Sequence, residues 1–563
     1  MRGPEALAAP GSTTPRATLP PAMDPPSPPR ITRALVLALA LLVPAASLAP
    51  AISGYLAQSP PERIFLGFRH LEVDHYQYGS FLAQARDEGR VLMENRLTGE
   101  PQTGRFVLLY LWLAGTLARA SGAPDATAWL VLQYVTGVAL LLVAWHVAGV
   151  FLRDSSERLC AWLLVAVGSG FDWIPWLAER AGLAAASPFA RTYAEFWNWS
   201  TSGSLQLPMW GCAEIALLLL VASIASRGEH AGPMRLVAAI LLPPLAWLVH
   251  PYTGLATFAI VALLPAIDAL ARLARADRPD FALVRSRLRV VAPVLAGALL
   301  VLAHVMWSNR DPVVAAVSKQ TLWWVRWPSP VAFPVAYGLA FLLAWFGLAD
   351  VLRRSGLARD LLLAWTFAVL ALTFNPWLAG VKFQYLLHLP LCVLAGRGIG
   401  TMRERVPWVR RAWERPLLRL AVLACVATGS ILAPFKDIRG VGSEARLFAS
   451  ADELSAYEFL RAQPPGIVIS PVDIGPRVAW KTGHAIFAGH WFMTLDLERK
   501  AGDAARYFSP HAPPTWRAAL EAKERLDYVI AGPEERAAGF DAASTGEVIF
   551  SAGPWQVARI GER

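Results

Sequence analysis

Residues 65–78 read PheLeuGlyPheArgHisLeuGluValAspHisTyrGlnTyr. Two carboxylates, Glu72 and Asp74, stand two residues apart, downstream of an apolar run at about 31–55 and ahead of a shorter one at 106–120. The pattern after Tyr76 predicts an amphipathic helix over about 80–97. An acidic pair placed just past the end of a first apolar helix sits where water, lipid headgroups and protein meet. The rest of the chain decides what that position means.

The chain has 563 residues, of which 55% are hydrophobic and only 17% charged, with mean hydropathy +0.40. Soluble domains carry about 25% charge. Disorder is excluded for most of the length, because disordered chains are poor in apolar residues. A single soluble globule is excluded by the many apolar stretches near the roughly 18 residues that span a bilayer. After the run at 31–55, such stretches lie at about 127–152, 158–177, 208–226, 235–251, 253–271, 290–307, 331–350, 361–375, 382–396 and 417–434. The length criterion therefore predicts a polytopic α-helical membrane protein with about 11 transmembrane helices. The 106–120 stretch is short for a span and reads as a re-entrant or interfacial helix. Residues 1–30, rich in Pro, Ala, Ser and Thr, read as a disordered tail. AlaAlaSer at 45–47 resembles a signal cleavage site, but the run is long for one and many spans follow, so a retained first helix is expected. Cys160, Cys212, Cys392 and Cys425 form no CxxC pair and imply neither disulfides nor zinc.

The formal charge of +10 first suggests nucleic acid. Placement argues otherwise. Arginines crowd alternate connections: Arg153 and Arg158, Arg227 and Arg235, the group from Arg272 to Arg289, Arg353 to Arg359, and Arg397 to Arg419. Positive connections stay on the cytoplasmic side, so the N-terminus is expected inside and the C-terminus outside, with no nucleic-acid partner. The large loop 55–126 then lies outside, as do 178–207, 308–330 and 376–381. Residues 31–436 form the membrane domain. Residues 440–563 read as a small soluble α/β domain in the periplasm. Strands are expected at 466–470, 484–489, 526–530 and 547–550, and helices at 451–462, 496–508 and 514–525.

The acidic motif in the first outer loop, the number of spans and the outer C-terminal domain together resemble the GT-C superfamily of membrane glycosyltransferases. The specific part of the likeness is confined to about 69–78. The resemblance implies an enzyme of the bacterial inner membrane, in contact with membrane lipids. It would move a sugar from a polyprenyl-phosphate donor to a glycan, lipid or protein acceptor on the outer face. Such a reaction needs a carboxylate near the acceptor hydroxyl, and positive charge or a divalent metal at the departing phosphate. Asp74 is the expected base. Glu72 would assist it, or the two would share Mg²⁺ or Mn²⁺ through oxygen ligands. Arg69, His75 and Tyr76 from the same stretch are expected around the substrate. The plainer reading makes Glu72 and Asp74 solvated acids that pair with Arg69 or cap the following helix.

Two further stretches supply phosphate or acceptor ligands. LeuValHisProTyrThrGly at 248–254 offers His250 and Tyr252, or else a tight turn with an interfacial aromatic. PheAsnProTrpLeuAlaGlyValLysPheGlnTyrLeuLeuHis at 374–388 offers Lys382, Gln384 and His388. On one helix, Lys382, Tyr385 and His388 would share a face. Lys382 then holds a phosphate as a point charge, or snorkels. Arg326, among the tryptophans of 323–327, is a further phosphate candidate. Glu195, Trp197, Asn198 and Trp199 read as an acceptor contact or an interfacial helix. His484 and His490 would share a face of a regular strand, without a clear third ligand for a metal. No Walker loop, Rossmann fingerprint or GxSxG is present. Two other functions remain open on sequence: a lipid-linked saccharide transporter or assembly factor, and a polysaccharide polymerase or ligase. Convergence of Asp74, His250 and Lys382 on one cavity favours catalysis; scatter beyond about 20 Å opposes it.

Overall fold

Apolar runs become helices because a helix satisfies its own backbone polar groups where no water is available. The computed structural model describes residues 29–68, 72–171, 200–225, 233–273, 281–320 and 332–561, with a few more between 173 and 183 and at Pro330. Seven helices among the described residues are long and apolar enough to cross a membrane: Arg30–Ser47, Asp125–Phe151, Pro208–Ala225, Pro251–Leu270, Arg287–Ser308, Ala332–Val351 and Pro416–Val441. Pro233–Val249 is apolar but shorter. The chain is a mostly helical, multi-pass membrane protein. Leu299, Leu302 and Met306 on one span and Leu417, Leu420 and Ile431 on another are exposed, as side chains facing lipid should be.

The expectation of 11 spans is corrected to seven candidates among the described residues, for local reasons. The run at 158–177 yields only Ser155–Val167, capped by the Asp154 carboxylate and ended at Gly168. Beyond it, the Ser169 N–H donates to the Val426 carbonyl at 2.9 Å and the Phe171 N–H to that of Val335 at 2.7 Å. That stretch is thus extended backbone buried against other helices. Leu357–Thr373 has 17 residues, and its Leu361, Ala364 and Trp365 are fully buried in protein. Tyr385–Arg405 is long enough but carries His388, Arg397, Arg403, Glu404 and Arg405. Hydropathy alone does not separate a buried core helix from a lipid-facing one. The 106–120 stretch forms Leu109–Ser121, 13 residues, about 20 Å of helix.

Helices Ala332–Val351 and Tyr385–Arg405 pack closely because glycine lets them. A Cβ on Gly347 would stand 1.8 Å from the Leu394 carbonyl oxygen, and one on Gly398 would stand 2.2 Å from that of Leu343. Small residues at such crossings allow backbone-to-backbone contact. Gly347→Val is expected to destabilise the protein by about 1–3 kcal/mol or more through overpacking, read as a lower unfolding temperature in detergent. Gly440→Ala is the control, since a Cβ there meets nothing within 4 Å.

The C-terminal region carries a five-stranded sheet in the order Ala485–Ile486, Ile467–Ile469, Tyr528–Ala531, Trp555–Arg559, Glu547–Ala552. The first three strands are parallel and the last two join antiparallel. Val468, Ile469, Val529, Ile530 and Val557 are fully buried, as strands covered on both faces require. Sequence reading missed the helix Gly475–Thr482 and the strand Trp555–Arg559.

This region is knitted to the first loop. Ile64–Phe65 pairs antiparallel with Phe448–Ala449. Trp480 stacks on Tyr76 at 5.7 Å, and its Nε1–H donates to Asp125 at 2.8 Å. The Asn95 side-chain amide donates to the Met493 carbonyl at 2.7 Å, and the Thr494 hydroxyl to that of Leu97 at 2.6 Å.

Candidate functional site

The acidic motif lies on a helix and not in a loop. Helix Glu72–Glu88 begins on the motif itself. Acids in a first turn complement the positive end of the helix dipole. The helix stops before Gly89, whose φ of +68° suits glycine. The expected helix over 80–97 is therefore moved upstream. Arg69 and the side chain of Glu72 lie outside the described residues, as does Arg326.

Successive residues of a helix point about 100° apart, so Asp74, His75 and Tyr76 face different surroundings. His75 is buried against Phe68, Trp129 and Tyr78. Tyr76 is buried against Trp480, and its hydroxyl donates to the Arg446 carbonyl. Both residues lie in aromatic packing next to Asp74. Asp74 emerges, its side chain 22% exposed. Its Oδ1 accepts hydrogen bonds from His490 Nε2 at 3.2 Å and Trp491 Nε1 at 3.3 Å. Burial pushes the Asp74 carboxyl up, but His490, the Lys382 charge and Trp491 together hold it below the usual carboxylate value. It is ionised at neutral pH.

Lys382 ends the 3₁₀ turn Gly380–Lys382, and the following helix starts only at Tyr385. Asn375 shapes the approach, its Oδ1 accepting from the N–H groups of Trp377 at 2.9 Å and Leu378 at 2.6 Å. The expected common helical face of Lys382, Tyr385 and His388 is thus corrected: the three do not share one helix. The Lys382 ammonium lies 5.5 Å from the Trp210 ring centre. Trp210 stacks on Tyr385 at 4.7 Å and lies 5.5 Å from the His250 ring. The Tyr385 hydroxyl meets His250 Nδ1 at 3.2 Å and the Thr253 hydroxyl. Tyr252 packs against His250 and Phe383. The Lys382 charge acts on both Asp74 and His250. Lys382 is thus within electrostatic reach of two residues far from it in sequence, Asp74 and His250.

Gln384 and His388 go elsewhere. His388 Nδ1 accepts from the Thr201 N–H at 3.2 Å and meets its hydroxyl at 3.0 Å, in the bundle interior. Gln384 is buried, its carbonyl accepting from Tyr337 at 2.6 Å, and its Oε1 has no hydrogen-bond partner among the described residues. The pairing of His484 with His490 on one strand face is also corrected, because the strand ends at Ile486. The Gly466 N–H donates to His484 Nδ1 at 3.1 Å, and the same ring's Nε2 bonds the Leu460 carbonyl at 2.9 Å. His490 faces Asp74. Sequence reading missed Trp210 and Trp491, and no spacing rule ties either to Asp74.

Among the described residues no group of three or more His, Cys, Asp or Glu is placed to hold a metal ion. Two N–H donors already occupy Asp74 Oδ1, and a lysine supplies positive charge beside the carboxylate. The side chain of Glu72, the other carboxylate expected to share a metal with Asp74, lies outside the described residues.

No protein-family model matches the sequence, and no curated protein is significantly similar to it. Solved structures do match. ArnT from Cupriavidus metallidurans bound to undecaprenyl phosphate aligns with a TM-score of 0.51 at 13% identity, over 94% of this chain and 99% of that one. The oligosaccharyltransferase AglB from Archaeoglobus fulgidus, in complex with an inhibitory peptide and a dolichol-phosphate, aligns with a TM-score of 0.51 at 12% identity. That alignment covers 90% of this chain and 70% of AglB. The chain shares the fold of these two structures. At such identities the likeness is one of architecture, and a shared fold by itself assigns no residue a role.

Proposed function

We propose that the protein is a GT-C-type glycosyltransferase that takes a sugar from a polyprenyl-phosphate donor. One observation carries this reading: an ammonium, Lys382, lies within electrostatic reach of the Asp74 carboxylate from a distant part of the chain. The two structural relatives hold undecaprenyl phosphate and dolichol-phosphate, which supports a polyprenyl phosphate here. In the proposed step, the acceptor hydroxyl oxygen attacks the anomeric carbon. The bond from that carbon to the phosphate oxygen breaks, and the hydroxyl proton passes to Asp74 Oδ2. The polyprenyl phosphate leaves with its negative charge against Lys382. Direct displacement inverts the anomeric centre. His250, Tyr385 and Trp210 hold the wall on which Lys382 rests. The arginine-rich connections support an orientation with the N-terminus in the cytoplasm and the site on the outer face of a bacterial inner membrane. A glycan, lipid or protein accepts the sugar there.

The test uses the full chain in lipid nanodiscs with a radiolabelled undecaprenyl-phosphate hexose and extracted envelope acceptors. Label is expected to move to an acceptor with release of undecaprenyl phosphate. Retention of all label on the lipid, across hexoses, would overturn the reading. Activity is expected to survive EDTA, because Lys382 supplies the positive charge. Loss on chelation with recovery in Mg²⁺ or Mn²⁺ would assign the phosphate to a metal held through Asp74 and Glu72.

A further inference from the structure

We infer that His490 and Trp491, carried by the C-terminal region, are positioning residues that hold Asp74 by Oδ1 and leave Oδ2 as the oxygen that takes the proton. This rests on Asp74 being the base. The geometry is specific about which oxygen is used. His490 Nε2 and Trp491 Nε1 both meet Oδ1, at 3.2 and 3.3 Å, and Oδ2 has no hydrogen bond among the described residues.

The histidine's own surroundings set its tautomer. Its Nδ1 accepts from the backbone N–H groups of Phe492 at 3.4 Å and Met493 at 3.3 Å. A nitrogen that accepts carries no proton, so the ring N–H sits on Nε2, facing Asp74. The ring is fully buried. Its backbone is also fixed, because the Thr494 hydroxyl oxygen accepts from the Gly489 and His490 N–H groups at 3.1 and 3.0 Å. The same hydroxyl donates to Leu97 in the first loop. The turn at 489–494 is thus tied at both ends and aims two N–H groups at one carboxylate oxygen. Syn and anti lone pairs of the other oxygen remain for substrate. A carboxylate free to rotate would present either oxygen and spend part of its time misaligned, which costs rate and not affinity.

Two substitutions separate positioning from a merely structural role. A glutamine amide reaches the place of Nε2, so His490→Gln keeps the donor to Asp74 and loses the acceptor for the turn. An asparagine reaches only the place of Nδ1, so His490→Asn keeps the turn and loses the donor to Asp74. With the full chain in nanodiscs and a labelled undecaprenyl-phosphate hexose, His490→Asn is expected to lower kcat about 10- to 100-fold. That is the worth of a hydrogen bond to a charged group. KM is expected to stay within about threefold, and His490→Gln to recover most of the rate. Trp491→Phe, which keeps a ring and loses the N–H, is expected to lower kcat by a smaller factor, and it serves if His490→Asn does not fold. Equal rates for the Asn and Gln variants, or a change confined to KM, would overturn the inference. If Asp74→Asn is inactive while His490→Asn is fully active, positioning fails and the base stands. If Asp74→Asn is itself active, the functional reading fails.

Discussion

Asp74→Asn is expected to lower turnover by about 10²- to 10⁴-fold, the usual contribution of a general base, with little change in folding. The reason lies in the hydrogen bonds. The asparagine carbonyl oxygen can still accept from His490 and Trp491, which meet only Oδ1 in the wild type. What the substitution removes is Oδ2 and the negative charge. The helix Glu72–Glu88 stays packed through Tyr76 and Gly79, neither of which changes. A Cβ on Gly79 would stand 2.7 Å from Trp480, so this face of the helix is already in close contact. Kinetics of sugar transfer and a thermal unfolding curve, measured on the same preparation, check both halves. A variant that turns over within threefold of wild type removes Asp74 from the chemistry. The carboxyl is held below its usual value, so it is ionised at neutral pH and is a weak base. Glycosyl transfer suits such a group, because an oxocarbenium-like transition state depends more on the departing phosphate than on an activated hydroxyl.

Lys382→Met is expected to lower kcat/KM by about 10²-fold or more, as loss of one preorganised electrostatic contact does. Methionine keeps most of the unbranched stem beside Trp210 and removes the charge. The wall behind it is self-supporting: Trp210 stacks on Tyr385, which bonds His250. Folding should therefore survive. Lys382→Arg is expected to restore part of the activity, since it returns the charge with a different shape. Binding of undecaprenyl phosphate alone, followed by tryptophan fluorescence, should weaken in the Met variant and recover in the Arg variant. Unchanged affinity and unchanged turnover in Lys382→Met would move the phosphate elsewhere.

Much of the fold was legible because hydropathy and period are local. The apolar runs became helices, and the strands and helices of the C-terminal region fell near their expected places, as with Ala451–Arg461 and Leu497–Tyr507. Two of the miscounted spans share a cause. Leu357–Thr373 and Tyr385–Arg405 are apolar to suit neighbouring helices, and a sequence does not say whether an apolar face meets lipid or protein. The acidic pair was visible at once, but its neighbours misled. His75 and Tyr76 are adjacent in sequence and buried in packing, whereas the partners of Asp74 are His490, Trp491 and Lys382.

The sequence by itself determined that this is a multi-pass, mostly helical membrane protein with a mixed α/β C-terminal region. It also marked Glu72, Asp74, His250 and Lys382 as groups out of place in an apolar chain. Those conclusions depend on composition and on spacings of a few residues, which a chain carries at any stage of folding. Tertiary structure alone decided which of these groups meet. Helix rotation turned Asp74 outward and Tyr76 inward, the 3₁₀ turn separated Lys382 from the helix beginning at Tyr385, and the tethered turn at 489–494 brought His490 to Asp74. Each of these depends on contacts between segments hundreds of residues apart, and no local pattern encodes them.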